Sequence, residues 1–405
     1  TLTKEKKRWK LFPIYIKATA GMRVKNETES LTFTMIRAVL NYKGFNPFLF
    51  KDEYAKIISG TEEAMFDWIG LNSIMGTFEN DNDNIGFGSL DMGGYSTQIA
   101  FALPLSQPIL NGYIDIQFND QSYQLYGHSY LKFGIRMAKQ RLTQLIENEY
   151  KYEIEIPNPC LNIGYNQTHQ NKIHYGTSNP IKCQHYLQQL LHKNAMCLEN
   201  NCALNGVYMP KLPYNMTFYA FETFGYAYGP TGWLHLKSIT KMKDIQNIAI
   251  QVCNTTYDDL DAIAFTYTDE PELDKKHLWC ADYMYILVLL RDGYNFDNNI
   301  NIKFVTKINN QPVTWTEGSI LYDINKLSFQ IIKTHNICWN GNTILMVILI
   351  VLIVIIMIKQ HWVQQDWLQK MRRVLSAKRL NNYKKMSDIN GTASEKTFFF
   401  NKKPG

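Results

Sequence analysis

The sequence predicts an α/β protein with a two-lobed globular body. At 405 residues and 45% hydrophobic content, the chain has enough apolar surface for two cores. Strand-type alternation at Phe12 to Ile16 and Ile85 to Leu103 is interleaved with helix-period patterns at Ala55 to Phe78 and His277 to Leu290, the mixture that α/β folds show. No repeat with a period of about 20–50 residues runs through the chain, which excludes a solenoid or propeller.

In chain order, Phe12 to Ile16 reads as a strand entering a small-residue turn at Ala18 to Gly21, with a helix after it. Ala55 to Phe78 reads as a strand end and then a helix starting near Glu62 and Glu63, where acidic residues favour a helix N-terminus. Asp81 to Asn84 is a polar turn. Ile85 to Leu103 reads as strand, Gly-Gly turn, strand. His128 to Glu149 alternates at helical spacing, and Asn158 to Tyr208 reads as a loop-rich, disulfide-stapled stretch. His277 to Leu290 is a helix ended by Asp292 and Gly293.

The uninterrupted apolar run Ile344 to Ile358, framed by Trp339 and Trp362, predicts one transmembrane helix over 343–358, long enough with its flanks to cross a bilayer. Residues 359–405 carry 11 Lys and Arg against three acidic residues. Such a tail marks the cytoplasmic side, placing the residues before Trp339 outside the cell or in the secretory-pathway lumen. The charge belongs to the tail, so nucleic acid is not an expected partner, whereas membrane lipid is. Six of the seven cysteines fall well before the span, with Cys338 at its edge, and none forms a C-x-x-C pair, which fits disulfides better than zinc. Sequons at Asn26, Asn166, Asn215 and Asn254 fall on the same side, while Asn390 would face the cytosol. The chain opens at Thr1 with a basic run and no cleavable signal, so the expectation is a chain lacking its N-terminal part.

Gly88 to Gln98 is the stretch richest in chemistry. Asp91 ends a strand and would hold a divalent cation through water. Gly93 and Gly94 bring N–H groups close to phosphate oxygens, with the positive φ that such turns use. Ser96 and Gln98 are placed to orient an attacking water. Read alone, the segment is also an ordinary hairpin closed by Gly-Gly. P-loop, G-x-S-x-G and H-E-x-x-H patterns are absent, which disfavours a kinase or P-loop ATPase and a serine or zinc hydrolase.

This stretch resembles the fourth conserved region of the ecto-nucleoside triphosphate diphosphohydrolase (apyrase) family, D-[LM]-G-G-[AG]-S-T-Q, departing only at Tyr95. Pro13 to Arg23 resembles the second region, which implies phosphate contacts from Thr19, Ala20 and Gly21 and an ion-pair role for Arg23. Gly60 to Trp68 resembles the third and implies Glu63 as general base, although Ala64 replaces a glycine and Asp67 is an unexpected charge. Tyr126 to Leu131, read as heading a helix with His128 as a packing residue, and Cys202 to Tyr208 match further family segments. Phe218 to Tyr226 is a weaker match, with Glu222 where a serine is usual. With Trp315 to Gly318 it implies nucleobase stacking by Tyr226 and Trp315, which as lone aromatics are otherwise core residues.

The resemblance implies an actin-like, sugar-kinase-like (ribonuclease H-like) fold. Lobe I would comprise 11–59 with a return at 316–337, and lobe II 60–315. It further implies hydrolysis of terminal phosphates of nucleoside tri- and diphosphates by water with Ca2+ or Mg2+, and the pairings Cys197–Cys202 and Cys253–Cys280, which leave Cys160 with Cys183. A homo-oligomer is left open. The family's first phosphate loop is not found before Phe12, and the rival reading is a catalytically inactive nucleotide-binding or adhesion ectodomain on the same fold.

Overall fold

In the computed structural model, the described residues are 9–24, 26–42, 44–79, 85–107, 109–110, 112–118, 121–228, 240–267 and 273–326, with the side chains of 26–30, 265–267, 273 and 274 omitted. They lie in one compact unit ending near Ser328. The expected span at 343–358, the tail at 359–405, the turn Asp81 to Asn84, Cys338 and Asn390 fall outside them. Among the described residues no helix is long and apolar enough to cross a membrane.

The first part of the chain is a small parallel pair, β1 (Ile16–Ala18) beside β2 (Ala55–Ile57), with Ile16 opposite Ala55. Between them run a single helical turn, Ala20–Arg23, and α1 (Asn26–Asn41). Helix α2 (Gly60–Ile74) follows. Its start is fixed by a capping box: the Ser59 hydroxyl accepts from the Glu62 N–H and the Glu62 carboxylate accepts from the Ser59 N–H. Such a box satisfies two end donors that would otherwise be unpaired.

The main sheet contains β3 (Gly88–Met92), β4 (Ser96–Leu103), β5 (Tyr113–Phe118), β6 (Gln121–Leu131), β10 (Thr217–Glu222) and β11 (Asn301–Phe304), in the order β11-β10-β3-β4-β6-β5. Strands β3 to β6 are antiparallel neighbours, and β10 runs parallel to both β3 and β11. Eight consecutive residues of β4 are buried, as a central strand covered on both faces requires.

One face is covered by a large apolar cluster that includes α3 (Ile135–Glu149) and the wholly buried α8 (Trp279–Val288). The other face is covered by α2, with Trp315 and Tyr322 of α9 (Trp315–Lys326) packed against it. Helices α2 and α9 cross closely, since a Cβ added at Gly318 would sit 1.9 Å from the Phe66 carbonyl oxygen. Lys17 of β1 reaches α9 through Ser319 and Asp323.

Two expectations are corrected. Tyr126 to Leu131 does not head a helix: it ends β6, and the helix starts at Ile135. Pairing along all of β4 outweighs the local helical spacing, a case of tertiary context overriding local pattern. Asn158 to Tyr208 is more ordered than a loop, holding β8 (Asn166–His169), β9 (Lys172–Gly176) and α4 (Pro180–Leu190). Helix α4 is capped by Asn179, whose side-chain oxygen accepts from the Lys182 N–H. The disulfides are Cys160–Cys183, Cys197–Cys202 and Cys253–Cys280. The last joins α6 (Met242–Asn254) to α8. The Asn166, Asn215 and Asn254 side chains of the sequons are exposed.

Candidate active site

The β3–β4 turn owes its shape to the helix behind it. The Gly93 carbonyl accepts from the Ile135 N–H at 3.0 Å, the Gly94 carbonyl from Arg136 at 3.0 Å, and the Tyr95 carbonyl from Lys132 at 2.7 Å. The first two of these bonds satisfy the leading donors of α3. A trans peptide points its N–H opposite to its C=O, so the N–H groups of Gly94 and Tyr95 are turned away from α3. Two successive N–H groups facing one direction form a small anion nest.

Gly93 differs, because its N–H donates to the Ser96 carbonyl at 3.0 Å and closes the hairpin. Nor does either glycine use the positive φ expected of it. A Cβ would meet its nearest neighbour at 3.7 Å at both positions, an ordinary contact. Neither backbone shape nor packing requires glycine here. What Gly93 and Gly94 provide is open space above the backbone, the feature a closely approaching ligand needs.

Glu63 lies on the first turns of α2, 5% exposed. Arg23 donates to it at 2.6 Å and to the Ile58 carbonyl at 3.0 Å. Thr19 and Gln98 lie near enough to the same carboxylate to favour its charged form. Burial pushes the Glu63 carboxyl up, and Arg23, Thr19 and Gln98 oppose that shift without cancelling it. Gln98 stands opposite Asp91 in the β3–β4 ladder. Its amide nitrogen donates to Ser96 at 2.7 Å and Ser129 at 2.9 Å, while its carbonyl oxygen is buried without a partner. Ser129 also lies 3.5 Å from Arg23. It was missed in the sequence because its segment reads as a helix start. As a strand residue of β6 facing Gln98, it belongs to the site.

Thr19, Ala20 and Gly21 form the entry to the short helical turn, whose leading N–H groups have no intrahelical partner. The ring of Tyr95 stands 3.8 Å from where a Gly21 Cβ would be, and Arg136 lies 5.7 Å from the ring centroid. Tyr95 therefore bridges the Thr19–Gly21 loop and the β3–β4 loop. Tyr226, on the short helix α5 (Thr223–Tyr228), is exposed, and Trp315 is half-buried at the start of α9.

A second acidic layer lies behind Glu63. Asp67 is fully buried with neither carboxylate oxygen hydrogen-bonded, and Asp91, 4% exposed, has an unpartnered Oδ1. Burial first, and then the carboxylates of Asp91, Glu63 and Glu222, push Asp67 well above the usual range. Asp91 is raised in the same way by burial, Glu222 and Glu63. Unpaired buried carboxylates are costly unless protonated or met by a cation. The donor set is all oxygen, which suits hard cations such as Ca2+ or Mg2+. No three of these carboxylates bring oxygens within 4.8 Å of one another among the described residues, so water would complete the ion's shell.

An α/β sheet with an antiparallel Gly-Gly hairpin and a buried, ion-paired carboxylate is an arrangement able to handle phosphate. The chain belongs to the GDA1/CD39 (nucleoside phosphatase) family, whose model matches residues 5–337. It is 27% identical over 360 residues to a guanosine-diphosphatase of Schizosaccharomyces pombe, covering 82% of this chain and 62% of that protein. Against ectonucleoside triphosphate diphosphohydrolase 8 of Gallus gallus the figures are 29% over 375 residues, 84% and 73%. Against ectonucleoside triphosphate diphosphohydrolase 1 of Mus musculus they are 29% over 348 residues, 76% and 65%. The chain thus spans 62–73% of the length of these relatives. The crystal structure of nucleoside triphosphate hydrolases from Neospora caninum shares its fold, with a TM-score of 0.53 at 15% identity over 76% of this chain and 72% of that one.

Proposed function

We propose that this protein hydrolyses the terminal phosphate of nucleoside tri- and diphosphates by direct attack of water. The observation that carries the reading is the placement of Glu63, ion-paired to Arg23 and close enough to Thr19 and Gln98 for both to favour its charged form, with Gln98 tied in turn to Ser96 of the hairpin whose carbonyls are held by α3. In this reading Thr19, Ala20 and Gly21 hold the terminal phosphate from one side and Gly94 from the other, with Gly93 kept small for approach. Ser96 and Gln98 orient the water and Glu63 accepts its proton. The water oxygen bonds to the terminal phosphorus as the bridging P–O bond breaks, and the leaving nucleotide takes the electron pair. A divalent cation, Ca2+ or Mg2+, held through water by Asp91, supplies neutralisation of phosphate charge when bound.

The finer assignments belong to the same proposal. Tyr226 and Trp315 stack on the nucleobase, a contact tolerant of base identity. The fold is actin-like, with lobe I at 11–59 and 316–337 and lobe II at 60–315. Three disulfides and three exposed sequon asparagines support an extracellular or lumenal position for the body, anchored by the apolar run at 343–358 with 359–405 in the cytoplasm. The test is phosphate release from ATP, ADP and UDP by the protein expressed from its complete transcript, with Ca2+, Mg2+ or chelator. Metal-dependent release that disappears in Glu63→Gln is expected. No release from any nucleotide would overturn the proposal in favour of a binding ectodomain.

A further inference from the structure

We propose that Asp67 and Glu222 extend the cation site of this protein, so that it takes up a divalent cation before any nucleotide arrives. The inference rests on the proposed hydrolase reading and names two residues that the reading does not use. Glu63 and Asp67 are four residues apart on α2 and so share one face. Across the sheet, Asp91 of β3 is in register with Phe221 of β10 and Glu222 with Met92, so Glu222 stands at the strand end next to Asp91's partner, where the strand alternation breaks. It is held there at φ 53° as the chain turns into α5. Asp67 and Asp91 each feel both Glu63 and Glu222 electrostatically.

The group is more than a collection of acids. Both oxygens of the fully buried Asp67, Oδ1 of Asp91 and the carbonyl oxygen of Gln98 are buried with no hydrogen-bond donor. Gln98 is an independent pointer to a ligand, because its neutral carbonyl cannot be satisfied by taking up a proton as a carboxylate can. Its amide nitrogen is already committed to Ser96 and Ser129. Charge balance points the same way. Among the described residues, the cation that pairs with these four carboxylates is Arg23, on Glu63. A cleft left with a surplus of negative charge repels a polyphosphate, and a divalent cation held by oxygen ligands and water reverses that repulsion. Glu222 is half-buried rather than enclosed, which gives the ion a route in.

The experiment is titration of Mn2+ alone, without nucleotide, into the same protein preparation, read by electron paramagnetic resonance, with thermal unfolding of each variant as a fold control. Wild type is expected to bind Mn2+, and Asp67→Asn and Glu222→Gln each to weaken binding by about 10-fold or more. Glu222→Gln, at a half-buried strand end, keeps the test valid if Asp67→Asn does not fold. Mn2+ binding unchanged in the folded variants, or absent from wild type, overturns the inference. Nucleotide hydrolysis without such binding would leave the proposed function standing. Mn2+ binding through Asp67 and Glu222 with no phosphate release would overturn the proposed function alone.

Discussion

Glu63 is pulled in two directions: burial favours its neutral form, and the Arg23 guanidinium 2.6 Å away favours the charged one. A general base must be ionised to accept a proton. Because burial prevails, the acid limb of the rate profile is expected above the ordinary glutamate range. Replacing Arg23 by Gln removes the opposing influence and should move that limb to higher pH still, measurable as kcat/KM against pH. Glu63→Gln should cost about 10²–10⁴-fold in kcat, the usual worth of a positioned base. Tyr95 is this chain's departure from the family pattern in the hairpin. Its ring stands against Gly21, between two loops that would both touch phosphate. Tyr95→Ala should therefore lower KM for nucleotide, and a raised KM would show that the ring supports binding rather than obstructing it.

At the scale of elements, the site depends on how tightly α2 is held. Its ten buried residues from Glu63 to Asn72 lie between the sheet and α9, and the crossing with α9 is open because Gly70 and, above all, Gly318 have no side chain. Gly318→Ala would force the helices apart and should cost about 1–3 kcal/mol, the usual penalty of overpacking, seen as a lower Tm. Activity should fall with it, since α2 carries Glu63. Both strands of the hairpin and its turn were legible in the sequence from alternation and the Gly-Gly pair. The turn's actual geometry was not, because it is set by bonds from Lys132, Ile135 and Arg136, which lie far along the chain from the turn and leave no local signal in it. The end of β6 was misread for a related reason: pairing with β4 is a long-range contact that a helical spacing of side chains does not reveal. Ser129 was lost with it. Asp67 was visible only as an anomaly, because its partners Asp91 and Glu222 come from distant strands.

Across the whole molecule, apolar layers on both sheet faces and three disulfides stabilise the body, the latter typically by about 2–4 kcal/mol each. Acid should expose a specific weakness. His128 sits edge-on against Tyr130, and burial depresses its pKa from 6.5 to about 4. The neutral ring is thus favoured by folding. Its contribution is complete above the unfolded value and is lost as pH falls from 6.5 towards about 4, with a slope of at most about 1.4 kcal/mol per pH unit. His128→Gln should flatten the fall in unfolding free energy across that window, measured by denaturant titration at several pH values. Family membership was legible from the order of short motifs, which survive where overall identity is 27–29%.

In the proposed reaction water, not a protein side chain, attacks the terminal phosphorus. Hydrolysis of a nucleoside triphosphate in heavy-oxygen water, with the products analysed by mass spectrometry after a single turnover, tests it most directly. Label in the released phosphate and none in the nucleoside diphosphate is the predicted result. Unlabelled phosphate after one turnover, or label on the nucleotide, would contradict it.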